Sequence, residues 1–89
     1  MASQPKALVV DDEASSRATI EAILSSENYE LYFAENGVQA LSMAEEIRPD
    51  IILLDVMMPG MNGFEVCKRF RSTPNLAEVP IVLVTALDD

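Results

Sequence analysis

Residues 51–55 read IILLD, four apolar residues followed directly by a carboxylate. A continuous apolar run of this length is typical of a strand buried on both faces, as in a parallel sheet. Two further runs rich in Val, Ile and Leu are Ala7–Val10 and Ile81–Val84. A fourth, Leu31–Ala34, belongs to a stretch that alternates more and contains two tyrosines, which is typical of an edge strand. We therefore expect four strands, one of them at an edge of the sheet.

Helical patterns occupy the segments between these runs. Apolar side chains recur there at three- and four-residue spacing, which predicts three amphipathic helices with their apolar sides toward the sheet. Strands that alternate with helices indicate right-handed βαβ units and an α/β fold, a doubly wound parallel sheet with helices on both faces. The apolar positions of the predicted helices are Ile20, Ile23 and Leu24, then Val38, Leu41, Ala44 and Ile47, then Phe64, Val66, Cys67 and Phe70.

The composition is that of one small acidic domain. The 89 residues include 15 acidic and 6 basic side chains, a formal charge of −9, and 49 % are hydrophobic, too many for a disordered acidic tail. The absence of histidine excludes a Ser-His-Asp triad and a histidine-ligated zinc. The negative charge argues against direct binding to nucleic acid or to a membrane surface. A single cysteine and a start unlike a secretion leader favour a cytoplasmic protein.

Acidic residues follow two of the predicted strands directly. Asp11 and Asp12 come after the first strand, and Asp55 comes after the third. Because the carboxyl ends of parallel strands share one edge of a sheet, we expect these side chains at that edge. If the first crossover runs one way and the next reverses, the first and third strands are neighbours. The three carboxylates then meet in the crevice where open α/β sheets bind ligands.

Three converging carboxylates repel one another and need a cation if all are to remain ionised. A small octahedral ion with oxygen ligands, Mg²⁺ or Mn²⁺, suits a few carboxylates together with water and a phosphate. Asp55 beside such an ion is placed to attack a phosphoryl group and form an aspartyl phosphate. Thr85, after the fourth strand, offers a hydroxyl to a phosphate oxygen, and Ala86 offers a backbone N–H.

A simpler interpretation is that residues 11–13 place negative charge at the start of a helix, where it is favourable. That interpretation leaves Asp55 unexplained, because a charge directly after a fully apolar strand lies at the rim of the core. Beyond Asp55, the pairs Pro59-Gly60 and Asn62-Gly63 predict a loop that folds back tightly.

Three segments resemble the receiver (CheY-like) domains of two-component response regulators. They read ALVVDDE at 7–13, DIILLDVMMPGMNG at 50–63 and PIVLVTA at 80–86, and together they extend over essentially the whole chain. The resemblance implies a flavodoxin-like sheet of strand order 2-1-3-4. The residues around Asp55 look most like those of receivers attached to diguanylate cyclases or to hybrid kinases.

The resemblance also implies a role for each matching residue. Asp55 accepts a phosphoryl group from the phosphohistidine of a sensor kinase or a phosphotransfer protein. The domain is then a phosphoryl acceptor, and not an enzyme beyond its own phosphorylation and dephosphorylation. Asp12 and Asp55 bind Mg²⁺ directly, and Asp11 binds it through water. The other implied positions are the backbone carbonyl of Met57 as a metal ligand, Thr85 as the switch hydroxyl, Ala86 at the phosphate, and Met57 with Leu87 as residues that tune dephosphorylation.

The chain departs from the family pattern at its carboxyl end. Receivers have a fifth strand and a fifth helix, with a lysine and a proline where that strand ends, and residues 1–89 supply the first four strands only. Lys6 lies at the wrong end of the first strand to replace the lysine. We therefore expect an incomplete receiver domain whose fourth strand is an exposed apolar edge. We also expect a second copy to replace the missing layer in a homodimer.

Two alternatives remain open. A haloacid-dehalogenase-like phosphatase also uses an aspartate at a strand end, but that class requires a second acid two residues later, where this chain has Met57. The other alternative is a fragment that keeps the fold but is not efficiently phosphorylated, because the lysine is absent. Such a fragment acts as an interaction or dimerisation module.

Overall fold

Strands and helices alternate along the chain. The computed structural model describes residues 4–56 and 62–84. The strands are β1 (Lys6–Val10), β2 (Glu30–Ala34), β3 (Ile51–Asp55) and β4 (Ile81–Val84), and the helices are α1 (Ala14–Leu24), α2 (Gly37–Ile47) and α3 (Gly63–Arg71). Single turns of 3₁₀ helix, Ser25–Glu27 and Pro74–Leu76, follow α1 and α3. None of the helices within the described ranges is long and apolar enough to cross a membrane.

All four strands pair in parallel, in the order β2-β1-β3-β4. The predicted fold class, the strand order and the edge position of β2 are confirmed. The chain reverses its crossover direction after β2, so β1 lies between β2 and β3. In the β1–β3 ladder Val10 pairs with Leu54. Continuing this register by one residue brings Asp11 opposite Asp55.

One face of the sheet carries the main apolar core. Leu8 and Val10 of β1 and their neighbours Ile52 and Leu54 of β3 point to this face, because alternate residues of a strand share a side. Each fully buried side chain of this size contributes about 1.5–3 kcal/mol to folding, so the layer holds the two central strands firmly together. The residues that cover this face are Ala40 and Ala44 of α2, Val66 and Phe70 of α3, and Leu76.

The first helix lies on the other face of the sheet. Alternation along β1 directs Ala7 and Val9 to that face, and both are completely buried. Because the crossovers to β2 and to β3 run in opposite directions, right-handed connections place α1 and α2 on opposite faces. Of the residues of α1, all of which are described, none is buried. The helix covers β1 while keeping most of its own surface exposed.

Each predicted helix is present, but one apolar residue in each points to solvent. Ile23, Val38 and Phe64 are 63 %, 69 % and 64 % exposed, so their assignment to the packed faces is wrong. A step of three residues falls about 60° short of a full turn, so a run of such steps drifts around the helix and not all of its residues stay on the buried side. The buried positions follow mixed three- and four-residue spacing instead: they are Gly37, Ala40 and Ala44 in α2, and Gly63, Val66 and Phe70 in α3.

Helix α3 begins in direct contact with the end of β3. The amide of Gly63 donates a hydrogen bond to the carbonyl oxygen of Val56 at 3.1 Å. A Cβ atom on Gly63 would lie 2.5 Å from the Cα of Val56 and 2.6 Å from the carbonyl oxygen of Asp55. Both are backbone atoms that cannot turn aside. Gly63, which the sequence analysis treats as a turn residue, therefore also sets how closely α3 approaches the strand end that carries Asp55.

We expect the substitution Gly63→Ala to destabilise the chain by about 2–3 kcal/mol, because the added methyl group forces α3 away from β3. Urea unfolding followed by far-ultraviolet circular dichroism measures the change. Ser42→Ala, at an exposed position of α2, is the control and should stay within about 0.5 kcal/mol of the parent. Equal stability of the Gly63→Ala variant and the control would contradict the close contact.

Candidate functional site

Three carboxylates meet at the carboxyl edge of the sheet. Asp11 and Asp12 follow β1 directly, and Asp55 is the last residue of β3. One carboxylate oxygen of each lies within 4.8 Å of the others. Asp11 and Asp55 are buried, at 5 % and 6 % exposure, and Asp12 is exposed. The cluster therefore has two acidic groups set into the rim of the core and a third that opens to solvent.

Backbone and side-chain hydrogen bonds hold Asp11 in place. Its amide donates to the carbonyl oxygen of Ala34 at 3.0 Å, which extends the β1–β2 ladder past the last strand residue. Its carboxylate accepts a hydrogen bond from the amide of Glu13 at 3.0 Å, the local turn that aspartate commonly forms. These two bonds restrain both the backbone and the side chain of Asp11.

The simpler interpretation of residues 11–13 as helix-terminal charges accounts for only part of this arrangement. Glu13 occupies the N-cap position of α1, and its carboxylate accepts a hydrogen bond from the Ser16 hydroxyl at 3.3 Å. Asp55 stands apart from any helix start, at the end of β3. A favourable helix terminus explains why acidic residues precede α1, and it does not explain why Asp55 meets them.

The end of β3 is held from two sides. The amide of Val56 donates to the carbonyl oxygen of Val84 at 3.1 Å, and Asp55 itself pairs with Val84 in the β3–β4 ladder. On the other side, the Gly63 amide donates to the carbonyl oxygen of Val56. Neighbouring backbone thus restrains the residue next to Asp55, so the direction of the Asp55 side chain is set by the fold.

Lys6 and Arg17 lie at opposite ends of β1. Lys6 is at the amino end of β1, where its ammonium donates to the carbonyl oxygen of Ile47 at 3.2 Å. Arg17 of α1 lies beside the carboxylates, and its guanidinium donates to the carbonyl oxygen of Asp11 at 2.8 Å. Arg17 is not among the site residues that the sequence patterns predict. The only signal in the sequence is a cation in the first turn of a helix, where the helix dipole disfavours positive charge.

Four of the residues assigned to the site by resemblance lie outside the described residues. They are Met57, Thr85, Ala86 and Leu87. Their roles at the metal, at the phosphate and in dephosphorylation stay predictions.

The donor set of the cluster suits a small hard cation. All three side chains offer carboxylate oxygens, which Mg²⁺ and Mn²⁺ prefer, and the spacing allows one ion to contact more than one of them. Like charges at this separation oppose one another, and a divalent ion would remove that repulsion. The residues present therefore fit such an ion.

Known proteins share this sequence pattern. A family model described as the response regulator receiver domain matches residues 7–89. Response regulator PleD of Caulobacter vibrioides is 52 % identical over 81 residues, which cover 91 % of this chain and 18 % of PleD. Transcriptional regulatory protein AfsQ1 of Streptomyces coelicolor is 41 % identical over 85 residues, or 96 % of this chain and 36 % of AfsQ1. The chain thus spans well under half the length of these relatives.

Solved structures share the fold as well. Chemotaxis protein CheY4 of Vibrio cholerae has a TM-score of 0.88 at 36 % identity, covering 97 % of this chain and 72 % of that one. The receiver domain of sensor histidine kinase PA1611 of Pseudomonas aeruginosa has a TM-score of 0.87 at 33 % identity, covering 94 % and 69 %. That structure contains a magnesium ion in its active site cleft. Since the family match extends over nearly the whole length, this chain belongs to the response regulator receiver domains.

Proposed function

We propose that this chain is a phosphoryl-accepting signalling domain and that Asp55 is the acceptor. The observation that carries the proposal is the position of Asp55, at the end of a central strand and within 4.8 Å of two further carboxylates. The phosphoryl donor is the phosphohistidine of a sensor histidine kinase or of a phosphotransfer protein. We place this exchange in the cytoplasm, and the −9 charge argues against direct contact with nucleic acid or a membrane surface.

In the proposed transfer, a carboxylate oxygen of Asp55 attacks the phosphorus atom of the donor. The phosphorus–nitrogen bond breaks, its electron pair returns to the imidazole, and an acyl phosphate forms on Asp55. A bound Mg²⁺ supplies positive charge that balances the acidic cluster and the phosphoryl oxygens. Asp12 and Asp55 would hold the ion directly, Asp11 through water, and Met57 through its backbone carbonyl.

The proposal extends to the residues that respond to the phosphoryl group. The Thr85 hydroxyl and the Ala86 N–H contact the phosphate, and the movement of Thr85 carries the signal to an output domain or a partner. Met57 and Leu87, two residues after Asp55 and Thr85 in the sequence, are both apolar. They hinder the approach of an attacking water, so the phosphoryl group persists.

We expect incubation with Mg²⁺ and a small phosphoryl donor such as phosphoramidate to add one phosphoryl group to the chain. Intact-mass spectrometry detects the adduct, and beryllofluoride provides a non-covalent check of the same site. Asp55→Asn should abolish the adduct. Asp50→Asn removes the same charge at the amino ends of the strands, directly before β3. This variant should still form the adduct. A folded, Mg²⁺-binding parent that takes no phosphoryl group would contradict the proposal and favour the interaction fragment.

We expect Asp12→Asn to have opposite effects on stability without and with Mg²⁺. Without the ion, the substitution removes one of three mutually repelling charges and should raise the thermal midpoint. With millimolar Mg²⁺, the parent should gain stability from binding, and the variant should gain much less. Differential scanning calorimetry at a series of Mg²⁺ concentrations measures both effects. The same Mg²⁺-dependent gain in parent and variant would exclude Asp12 as a ligand.

A second candidate function is self-association through the exposed edge of the sheet. Strand β4 lies at the edge, and its Val82 and Leu83 are 44 % and 41 % exposed. An apolar edge strand is a template for pairing with another chain. This observation favours the alternative in which the 89-residue chain acts as an interaction or dimerisation module.

We expect the 89-residue chain to sediment as a homodimer at micromolar concentration. Val82→Lys places a charge on the edge strand and should shift the chain toward monomer in sedimentation velocity. Val38→Lys introduces the same charge at an exposed apolar position of α2, a helix that packs against β1 and β2 and not against β4, and should leave the dimer unchanged. A parent chain that remains monomeric over this range would exclude the second function.

A further inference from the structure

The Arg17 side chain bridges the start of α1 and the end of β1. Its Nη1 donates to the carbonyl oxygen of Asp11 at 2.8 Å, a short bond with a charged donor. Its Nη2 lies 3.9 Å from Oε2 of Glu35, in the loop between β2 and α2. The Arg17 side chain is 20 % exposed and that of Glu35 is 68 % exposed. Because a long, exposed ion pair contributes little, the bond to the Asp11 carbonyl is the contact that orders the guanidinium.

The carbonyl that Arg17 binds belongs to the peptide group between Asp11 and Asp12. This group is planar, so holding its oxygen restrains the backbone on both sides of it. The preceding amide is held by Ala34, and the Asp11 carboxylate is held by the amide of Glu13. With Arg17, the backbone that leads from β1 into Asp12 is restrained at consecutive groups. The direction in which Asp12 projects its carboxylate follows from that restraint.

The positive charge of Arg17 is unfavourable at the start of a helix, and the hydrogen bond to Asp11 must offset this free energy. Arg17 lies in the first turn of α1, where the positive end of the helix dipole disfavours it. The side chain turns back over that terminus to reach Asp11. A solvated arginine would not need this orientation.

We propose that Arg17 is a positioning residue of the cation site: it holds the Asp11–Asp12 peptide so that the Asp12 carboxylate stays near those of Asp11 and Asp55. The inference rests on the cation site of the proposed function. A positioning role and a simple charge effect predict opposite changes in Mg²⁺ affinity when Arg17 is replaced. A nearby positive charge repels Mg²⁺, so removing it should tighten binding. Removing a residue that orients a ligand should weaken binding, as for partners that orient metal ligands elsewhere.

The test is a calorimetric titration with Mg²⁺ of the parent, Arg17→Ala and Arg17→Lys. We expect Arg17→Ala to weaken binding roughly tenfold, and Arg17→Lys, which keeps a donor and the charge, to recover part of the loss. Arg69→Ala is the charge-matched control, because Arg69 is an exposed residue in the last turn of α3. It should bind like the parent, and so should Glu35→Gln, which removes only the long ion pair.

A second readout uses no metal. In the metal-free protein, Arg17→Ala should shift the amide NMR signals of Asp12 and Glu13 and speed their hydrogen exchange. The Arg69→Ala control should leave them in place. A parent that binds no Mg²⁺ would overturn the cation site itself. A parent that binds Mg²⁺, with Arg17→Ala binding equally or more tightly, would overturn the positioning role alone. Circular dichroism confirms that each variant is folded.

Discussion

The parallel pairing of β1 with β3 is the contact on which the whole site depends. Its register places Val10 beside Leu54 and so brings Asp11 opposite Asp55 at the carboxyl edge. A slip of one residue would turn every side chain of a strand to the other face of the sheet. Such a slip would expose Leu8 and Ile52, which are completely buried. Burial of the apolar side chains therefore fixes the register, and the register keeps the acidic groups together although their charges repel one another.

The acidic cluster brings like charges together, and we expect it to lower the stability of the fold when no cation is bound. Three carboxylates lie within 4.8 Å, and two of them are buried. The fold tolerates this because the neighbouring backbone is firmly anchored: the Asp11 amide binds Ala34, and Val56 is held by Val84 and Gly63. In the proposed function, the same crowding would favour a divalent ion, since binding would relieve the repulsion between the carboxylates. The proposal therefore links stability to function at the carboxyl edge of the sheet.

Much of the fold and part of the site follow from local sequence patterns. Apolar runs predict β1, β3 and β4 to within one residue. The expectation of burial on both faces fits the central strands β1 and β3, but it is wrong for β4, an edge strand whose Val82 and Leu83 are partly exposed. The helix faces are harder to predict. Ile23, Val38 and Phe64 fit a helical period but are exposed to solvent. Periodicity describes the helix itself, whereas burial depends on what packs against it.

The sequence by itself determined the parallel α/β class and the positions of Asp11, Asp12 and Asp55 at strand ends, because both follow from the order of residues along the chain. Two further features were decided by the tertiary structure alone. The close approach of Gly63 to the backbone of Asp55 and Val56 depends on how α3 docks on β3. The bond from Arg17 to the Asp11 carbonyl depends on how α1 turns back over β1. Both are distances between separate elements, which residue order does not specify.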